Sequence, residues 1–475
     1  MKKLMKYVLP SLLMSATCFA DKVKLLEKND EALQARVDLI QNAKKEIFVE
    51  YYEVASDSLS LTGLSMLRKA AEGGVKVKIL IDNMHNSLSD AEMAAVLGIS
   101  DSTKASENIE IKVFNPLHSL NPLHLTYRNH DKLMNIDGEM MIVGGRNVAK
   151  NYFGKAKSAE LNFKDADALV VGDAAKESKQ YFMDLWTKNP EVKKVNLNRY
   201  SYAGLNNNCS GEDSTNCINQ RESALNEIKA AHEKLNVYLE KFMSGKAWVK
   251  TEAISEMFKD LEDIKNVKFA YSDPSKSMKN VENKLSAQIM QSFSLHAKEN
   301  ILIVTPYLYP TEDELKSLEK LSAAGIKIKI VTNSLASTDV VLVHVAYLSI
   351  KKRLTDMGIE IYEFKGPEIL HCKGVVIDDK ISMIGSFNFD RRSALINREI
   401  GVRIGGLNDD GSKFTKEFVN FINEEIIANS TLVSKDKIEY STKDLDDAIS
   451  DKKKKEFDVE LKNPMLHFEF GKKQI

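Results

Sequence analysis

The sequence predicts an α/β protein written twice. Three observations carry this. VKVKILID (75–82) and IKIKIVT (326–332) alternate β-branched residues with lysine, the period of half-buried strands. Each follows a helical stretch, SLTGLSMLRKAAEGG (60–74) and TEDELKSLEKLSAAG (311–325). The elements between residues 43 and 147 then recur, in order, between 297 and 388. Such alternation implies helices packed on a sheet.

The first element lies outside that fold. Lys2, Lys3 and Lys6 precede an apolar run from Tyr7 to Phe19, and Cys18-Phe19-Ala20 puts small residues at the cleavage positions before Asp21. This predicts a secretory signal peptide over 1–20 and a secreted or periplasmic protein in contact with a membrane. An uncleaved anchor is the alternative; the run is short for a spanning helix of about 20 residues. No later stretch is long and apolar enough to span a bilayer.

A first domain is expected over 21–200, and within it AKKEIFVEYY (43–52) opens the repeat, echoed by AKENILIVTP (297–306). NIEIKVF (108–114) is echoed by GIEIYEF (358–364). In the second copy Thr311 is a good N-cap, acids fill the first turn, Leu315, Leu318 and Leu321 mark one face, and Gly325 ends the helix. Residues 201–270 read as a linker plus an accessory helix, ESALNEIKAAHEKLNVYLEKFMSG. The second domain is expected over 271–430, with a helix beginning near Ser337 or Thr338 that contains His344. A tail over 431–475 contains the basic run Lys452–Lys455, whose ordinary reading is a solvated helix end.

Composition sets outer bounds. With 475 residues there is room for two or three domains. A net charge of −1 and pI near 6.8 give no global nucleic-acid footprint. Cys209 and Cys217 share a polar loop, where export would favour a disulfide; two free thiols are the alternative. No Cys-x-x-Cys or His-x-x-x-His spacing supports a zinc site.

The chemistry sits in two near-copies, HDKLMNIDGEMMIVGGRN (130–147) and HCKGVVIDDKISMIGSFN (371–388). Both spell His-x-Lys, four residues, Asp, six residues, a Gly-Gly or Gly-Ser pair, one residue, Asn. Read as a strand, His371 and Lys373 project from one face, Cys372 points into the core, and Asp378 has the opposite parity. Asp137 and Asp378 stand at hairpin turns and are expected to hold them. Each copy supplies one histidine, one lysine and one asparagine, which is half a site. Covalent cleavage of a phosphodiester needs a nucleophile and a separate general acid, and two histidines fill both roles near neutral pH. Lys132, Lys373, Asn147 and Asn388 would surround the non-bridging oxygens of the bound substrate. The lysines supply the positive charge, so neither a metal nor another cofactor is expected. Orienting carboxylates are expected downstream of each asparagine, Glu399 in NREIGVRI and Asp165 in FKDADALV, with Asp167 as fallback.

These paired motifs resemble the phospholipase D superfamily, and the resemblance covers most of residues 35–440. More narrowly, the stretch from TPYLYP to YEF (305–364) and FKDADALVVGDAA (163–175) are similar to bacterial cardiolipin-synthase-like members. The resemblance implies two α/β sandwich halves with the active site at their pseudo-twofold interface. It implies a phosphatidyl-histidine intermediate, with His130 as nucleophile and His371 as acid, or the reverse. The expected substrate is a phospholipid at a membrane surface, with water or a glycerol-type or lipid alcohol as acceptor; a nucleic acid is the alternative. A monomer suffices, because one chain carries both half-sites.

Overall fold

The strand Lys327–Asn333 illustrates how the alternating pattern folds: Ile328 and Ile330 are buried while Lys327 and Lys329 stay in solvent. A computed structural model of the chain describes residues 20–99, 104–116, 126–200, 214–244, 258–277, 284–406, 411–434 and 451–463. The expected signal segment, apart from Ala20, lies outside the described residues, as does Cys209. Cys217 is disulfide-bonded. No helix among the described residues is long and apolar enough to cross a membrane.

The first half runs β1 (Asp21–Leu26), α1 (Asn29–Asn42), β2 (Glu46–Tyr51), α2 (Ser58–Glu72), β3 (Lys76–Asp82), α3 (Asp90–Val96), β4 (Ile109–Phe114), β5 (Lys132–Ile136), β6 (Met140–Gly144), β7 (Phe163–Lys164), β8 (Asp167–Val171), α4 (Asp173–Lys188) and β9 (Val192–Lys194). The long α5 (Ser214–Met243) and β10 (Glu262–Ile264) follow. The second half runs β11 (Val267–Tyr271), α6 (Leu285–His296), β12 (Asn300–Val304), β13 (Leu308–Tyr309), α7 (Glu312–Ala323), β14 (Lys327–Asn333), α8 (Val341–Asp356), β15 (Glu360–Phe364), β16 (Ile369–Leu370), β17 (Gly374–Ile377), β18 (Ile381–Gly385), β19 (Phe389–Asp390), α9 (Arg391–Leu395), β20 (Ile400–Ile404), α10 (Lys413–Asn420), β21 (Ser430–Leu432) and α11 (Asp451–Glu460).

The duplication is visible in the strand order. One sheet contains β8-β6-β5-β2-β3-β4 and the other β20-β18-β17-β12-β14-β15, with matching parallel and antiparallel pairings. Helices α1, α2 and α3 cover one face of the first sheet, and α6, α7 and α8 one face of the second. The opposite faces share a core that takes in α4 and α10 through Phe182 and Phe418, and includes Phe48, Leu133 and Val143 from the first half and Val304, Val376 and Ile384 from the second. Cys372 is fully buried in that core.

The stretch 201–270 does more than link. Helix α5 packs on α2 and α3 through Ile228, Ala231 and Leu235, and the Ser65 hydroxyl donates to the Leu235 carbonyl at 2.9 Å. Strand β10 joins the first sheet and β11 the second. In the second half the helix holding His344 starts at Val341, because Thr338 still turns the chain by accepting the Val340 N–H. His344 is buried against Tyr347, and burial lowers its pKa to about 4.

The motif aspartates occupy equivalent turns. Asp137 and Asp378 have φ of 57° and 51°. The Asp137 carboxylate accepts the backbone N–H groups of Lys44, Lys45 and Glu46 at 2.7–2.9 Å. Asp378 accepts those of Lys298, Glu299 and Asn300 at 2.8–2.9 Å. Each carboxylate thus satisfies the N–H groups that open the first parallel strand of its half. Asp378→Ala is expected to cost about 2–4 kcal/mol in urea unfolding, through three lost charge-assisted bonds and a left-handed alanine. A stability equal to wild type would contradict this.

Candidate active site

Each histidine sits just outside a strand, on a short ladder that crosses between the halves. His130 precedes β5, and His371 lies between β16 and β17, so neither belongs to a continuous strand as the motif parity suggests. The His130 N–H donates to the Arg398 carbonyl at 3.1 Å, and the Arg398 N–H returns to the Arg128 carbonyl at 2.9 Å. Equivalently, β16 pairs in parallel with β7, and the His371 and Cys372 N–H groups donate to the Lys164 carbonyl at 2.8 and 3.0 Å. Arg398 and Lys164 are the residues immediately before Glu399 and Asp165. The backbone pairing therefore sets each acid beside the histidine of the other half.

The side chains complete this crossing. His130 Nδ1 lies 3.0 Å from both oxygens of Glu399, and His371 Nδ1 lies 2.6 Å from Asp165 Oδ2. An Nδ1–H held by a carboxylate leaves Nε2 as the free ring nitrogen. The Ser386 hydroxyl also donates to Glu399. The first half has Gly145 at that position, where a Cβ would run into the Asp165 carboxylate. The Gly-Gly and Gly-Ser difference between the motifs thus follows from how closely each acid approaches. The fallback Asp167 is committed elsewhere, paired with Arg36 at 2.9 Å and Arg146 at 3.1 Å.

The lysines lie under the histidines. Lys132 Nζ donates to the His130 carbonyl at 2.6 Å, and Lys373 Nζ to the His371 carbonyl. Burial lowers Lys132 to about 7 and Lys373 to about 8. Burial pushes both histidines well below their usual range, and each histidine also feels both lysines. Burial raises Glu399 to about 7 and Asp165 to about 6. Four groups that are charged in water are thus brought near neutral pH by one desolvated site.

The asparagines are not equivalent. The Asn147 amide donates to the Tyr152 hydroxyl at 2.8 Å and to Glu53 at 3.4 Å, and its carbonyl accepts the Glu53 N–H at 3.3 Å. Buried Asn388 has an Oδ1 without a protein partner.

Around this centre the two halves diverge. The His130 ring meets Tyr52 edge-on at 4.8 Å, and Tyr52 meets His85 at 4.3 Å in a tilted contact. Arg392 adds positive charge that disfavours a proton on His130. The His371 ring meets Tyr152 at 5.1 Å and Phe163 at 4.9 Å. Here the Tyr307 hydroxyl donates to Asp339 at 2.8 and 2.9 Å, Tyr152 donates to Glu53 at 3.0 Å, and the Asp339 charge favours a proton on His371. Of these flanking residues the sequence signals none; His85 looks like any surface histidine. His118 and His124, which the sequence places shortly before the first motif as candidates to border the entrance, lie outside the described residues. Chemically, the arrangement offers two buried imidazoles, each held through Nδ1 by a carboxylate and each beside a buried lysine.

Comparison with known proteins places the chain in a family. Residues 37–186 and 293–422 match the family described as cardiolipin synthase, PLD-like domain. The chain is 28% identical over 409 residues to cardiolipin synthase C of Escherichia coli, covering 79% of this chain and 80% of that protein. It is 30% identical over 408 residues to an uncharacterized Helicobacter pylori protein, covering 80% and 75%. The fold matches the crystal structure of a Haemophilus influenzae phosphatidylserine synthase with a TM-score of 0.63 at 14% identity, over 93% of this chain and 94% of that one. With its family match on both halves and its paired motifs, the chain belongs to the PLD-like domain family of the cardiolipin synthases, and it is an enzyme of the phospholipase D superfamily.

Proposed function

We propose that this enzyme transfers a phosphatidyl group from one phospholipid to the hydroxyl of a second, through a phosphohistidine. The crossed pairs, His130 with Glu399 and His371 with Asp165, carry the reading. Each half orients the histidine of the other, so the site works only when both halves close on one phosphate. His130 Nε2 attacks phosphorus while His371 donates its proton to the departing alcohol oxygen, and the P–O bond breaks. His371 then takes the proton of the incoming hydroxyl, whose oxygen displaces His130. The flanking charges support this direction: burial lowers both rings, but Arg392 lowers His130 further while Asp339 acts in the opposite sense on His371. Lys132 and Lys373 stabilise the charge on the non-bridging oxygens. The deep placement of both histidines, 7% and 4% exposed, supports transfer over hydrolysis by limiting water. The names of the cardiolipin synthase relatives support the lipid class. Residues 1–20 support an exported enzyme.

The test incubates the purified full chain with phosphatidylglycerol vesicles in EDTA, with single-stranded DNA in a parallel reaction. Cardiolipin plus glycerol is the expected product. Phosphatidic acid alone would replace transfer by hydrolysis, and cleaved DNA with unchanged lipid would overturn the lipid reading.

A further inference from the structure

The basic run Lys452–Lys455 belongs to α11, and α11 is docked beside the active site. Phe457, 2% exposed, enters a small cluster with Leu335, Val341 and Val345. Lys453 Nζ caps the Ala336 carbonyl at 2.8 Å. These contacts fall on the first turns of α8 and on the segment joining β14 to it, which also carries Asp339 at the rim of the His371 side. The helix is therefore fixed to a rim loop of the pocket.

Helical geometry separates its two faces. Lys453 and Phe457, four residues apart, face inward. Lys455 and Val459, at i and i+4, share the opposite side, and Lys462 follows in the turn that ends the helix, its N–H bonded to the Val459 carbonyl at 3.1 Å. All three are exposed, Val459 at 67%. An exposed valine between two lysines has nothing to gain from water. A bilayer offers it the acyl boundary and offers the lysines anionic head groups.

The rim itself repeats the pattern. Val340 follows Asp339 and is 36% exposed; Met84 precedes His85 and is 45% exposed. They stand in the equivalent loops after β14 and β3, one per half. Large apolar side chains exposed on both sides of a pocket are what a lipid-facing rim requires.

We propose that the outer face of α11, with the Met84 and Val340 loops, seats the enzyme on an anionic phospholipid bilayer with the histidine pocket toward the lipid. The inference rests on the phospholipid reading above, and sedimentation reads binding and not product, so the two can fail separately. The full chain is sedimented with vesicles of equal phosphatidylglycerol and phosphatidylcholine, and with phosphatidylcholine alone. Wild type is expected to partition onto the anionic vesicles and to be released by salt. Lys455→Glu/Lys462→Glu is expected to lower that partition about tenfold or more, since each basic residue near the surface is worth roughly fivefold. Val459→Asp is expected to weaken it in the same direction. Lys193→Glu/Lys194→Glu, the same charge change on β9 at the edge of the first sheet, should leave it intact. Equal binding by wild type and the α11 variants would overturn the proposal, as would an equal loss in the β9 variant. Cardiolipin formation with no α11 dependence of binding would retain the function and reject this surface.

Discussion

His130→Ala is expected to abolish turnover, on the order of 10⁶ in kcat, because the covalent route disappears with its nucleophile. His371→Ala is expected to fail differently. It removes the proton donor, worth roughly 10²–10⁴ with an alkyl leaving group. A substrate whose leaving group needs no protonation, such as a p-nitrophenyl phosphodiester, should recover most of the first step in His371→Ala and none in His130→Ala. Intact mass of the quenched His371→Ala protein should then show the added phosphoryl group on His130. The proposed assignment rests on the unequal surroundings of otherwise matched residues: Arg392 acts against a proton on His130, whereas Asp339 opposes the burial and lysine charge that lower His371. Rescue of His130→Ala instead would exchange the two roles, and rescue of both would remove the covalent intermediate.

The second large effect couples activity to stability. Glu399→Gln and Asp165→Asn keep the shape of each pair but lose the charge that holds Nδ1–H, and each should cost on the order of 10²–10⁴ in kcat. The folded chain should nevertheless gain. Burial raises Glu399 from 4.5 to about 7, so between those values the folded protein keeps a proton that the unfolded chain has released. For a carboxyl raised in this way, its contribution is present below the ordinary value and is lost as pH rises through about 7. A neutral amide in its place has no such loss. Urea unfolding should therefore separate variant and wild type little near pH 5, and favour Glu399→Gln by about 2–3 kcal/mol near pH 8. A variant less stable than wild type near pH 8 would mean that the ionised carboxylate is well accommodated.

Much of the architecture is legible in local pattern. Period-two alternation marks β3 and β14, and Thr311 forms the capping box that starts α7. Equal spacing marks the two half-sites, since chemistry and backbone turn both depend on separations of a few residues. The less legible parts depend on neighbours distant in sequence or on competition for the backbone. Helix α8 starts later than its hydrophobic pattern suggests because Thr338 takes the Val340 N–H first. Asn147 and Asn388 look alike in the motifs but differ because Glu53 and Tyr152 approach only one of them.

Glu399 and Asp165 mark the boundary between the two kinds of information. Their residue type and their position after each asparagine can be read along the chain, as can the need for two histidines, two lysines and a turn-holding aspartate. Which acid serves which histidine cannot, because the answer lies 269 residues away for His130 and 206 for His371. The Arg398 and Lys164 carbonyls settle it by taking the opposite half's histidine N–H into a ladder. The same holds for the charges that distinguish His130 from His371. Arg392, Asp339 and Glu53 acquire meaning only when two sheets of matching topology close face to face and desolvate one pocket.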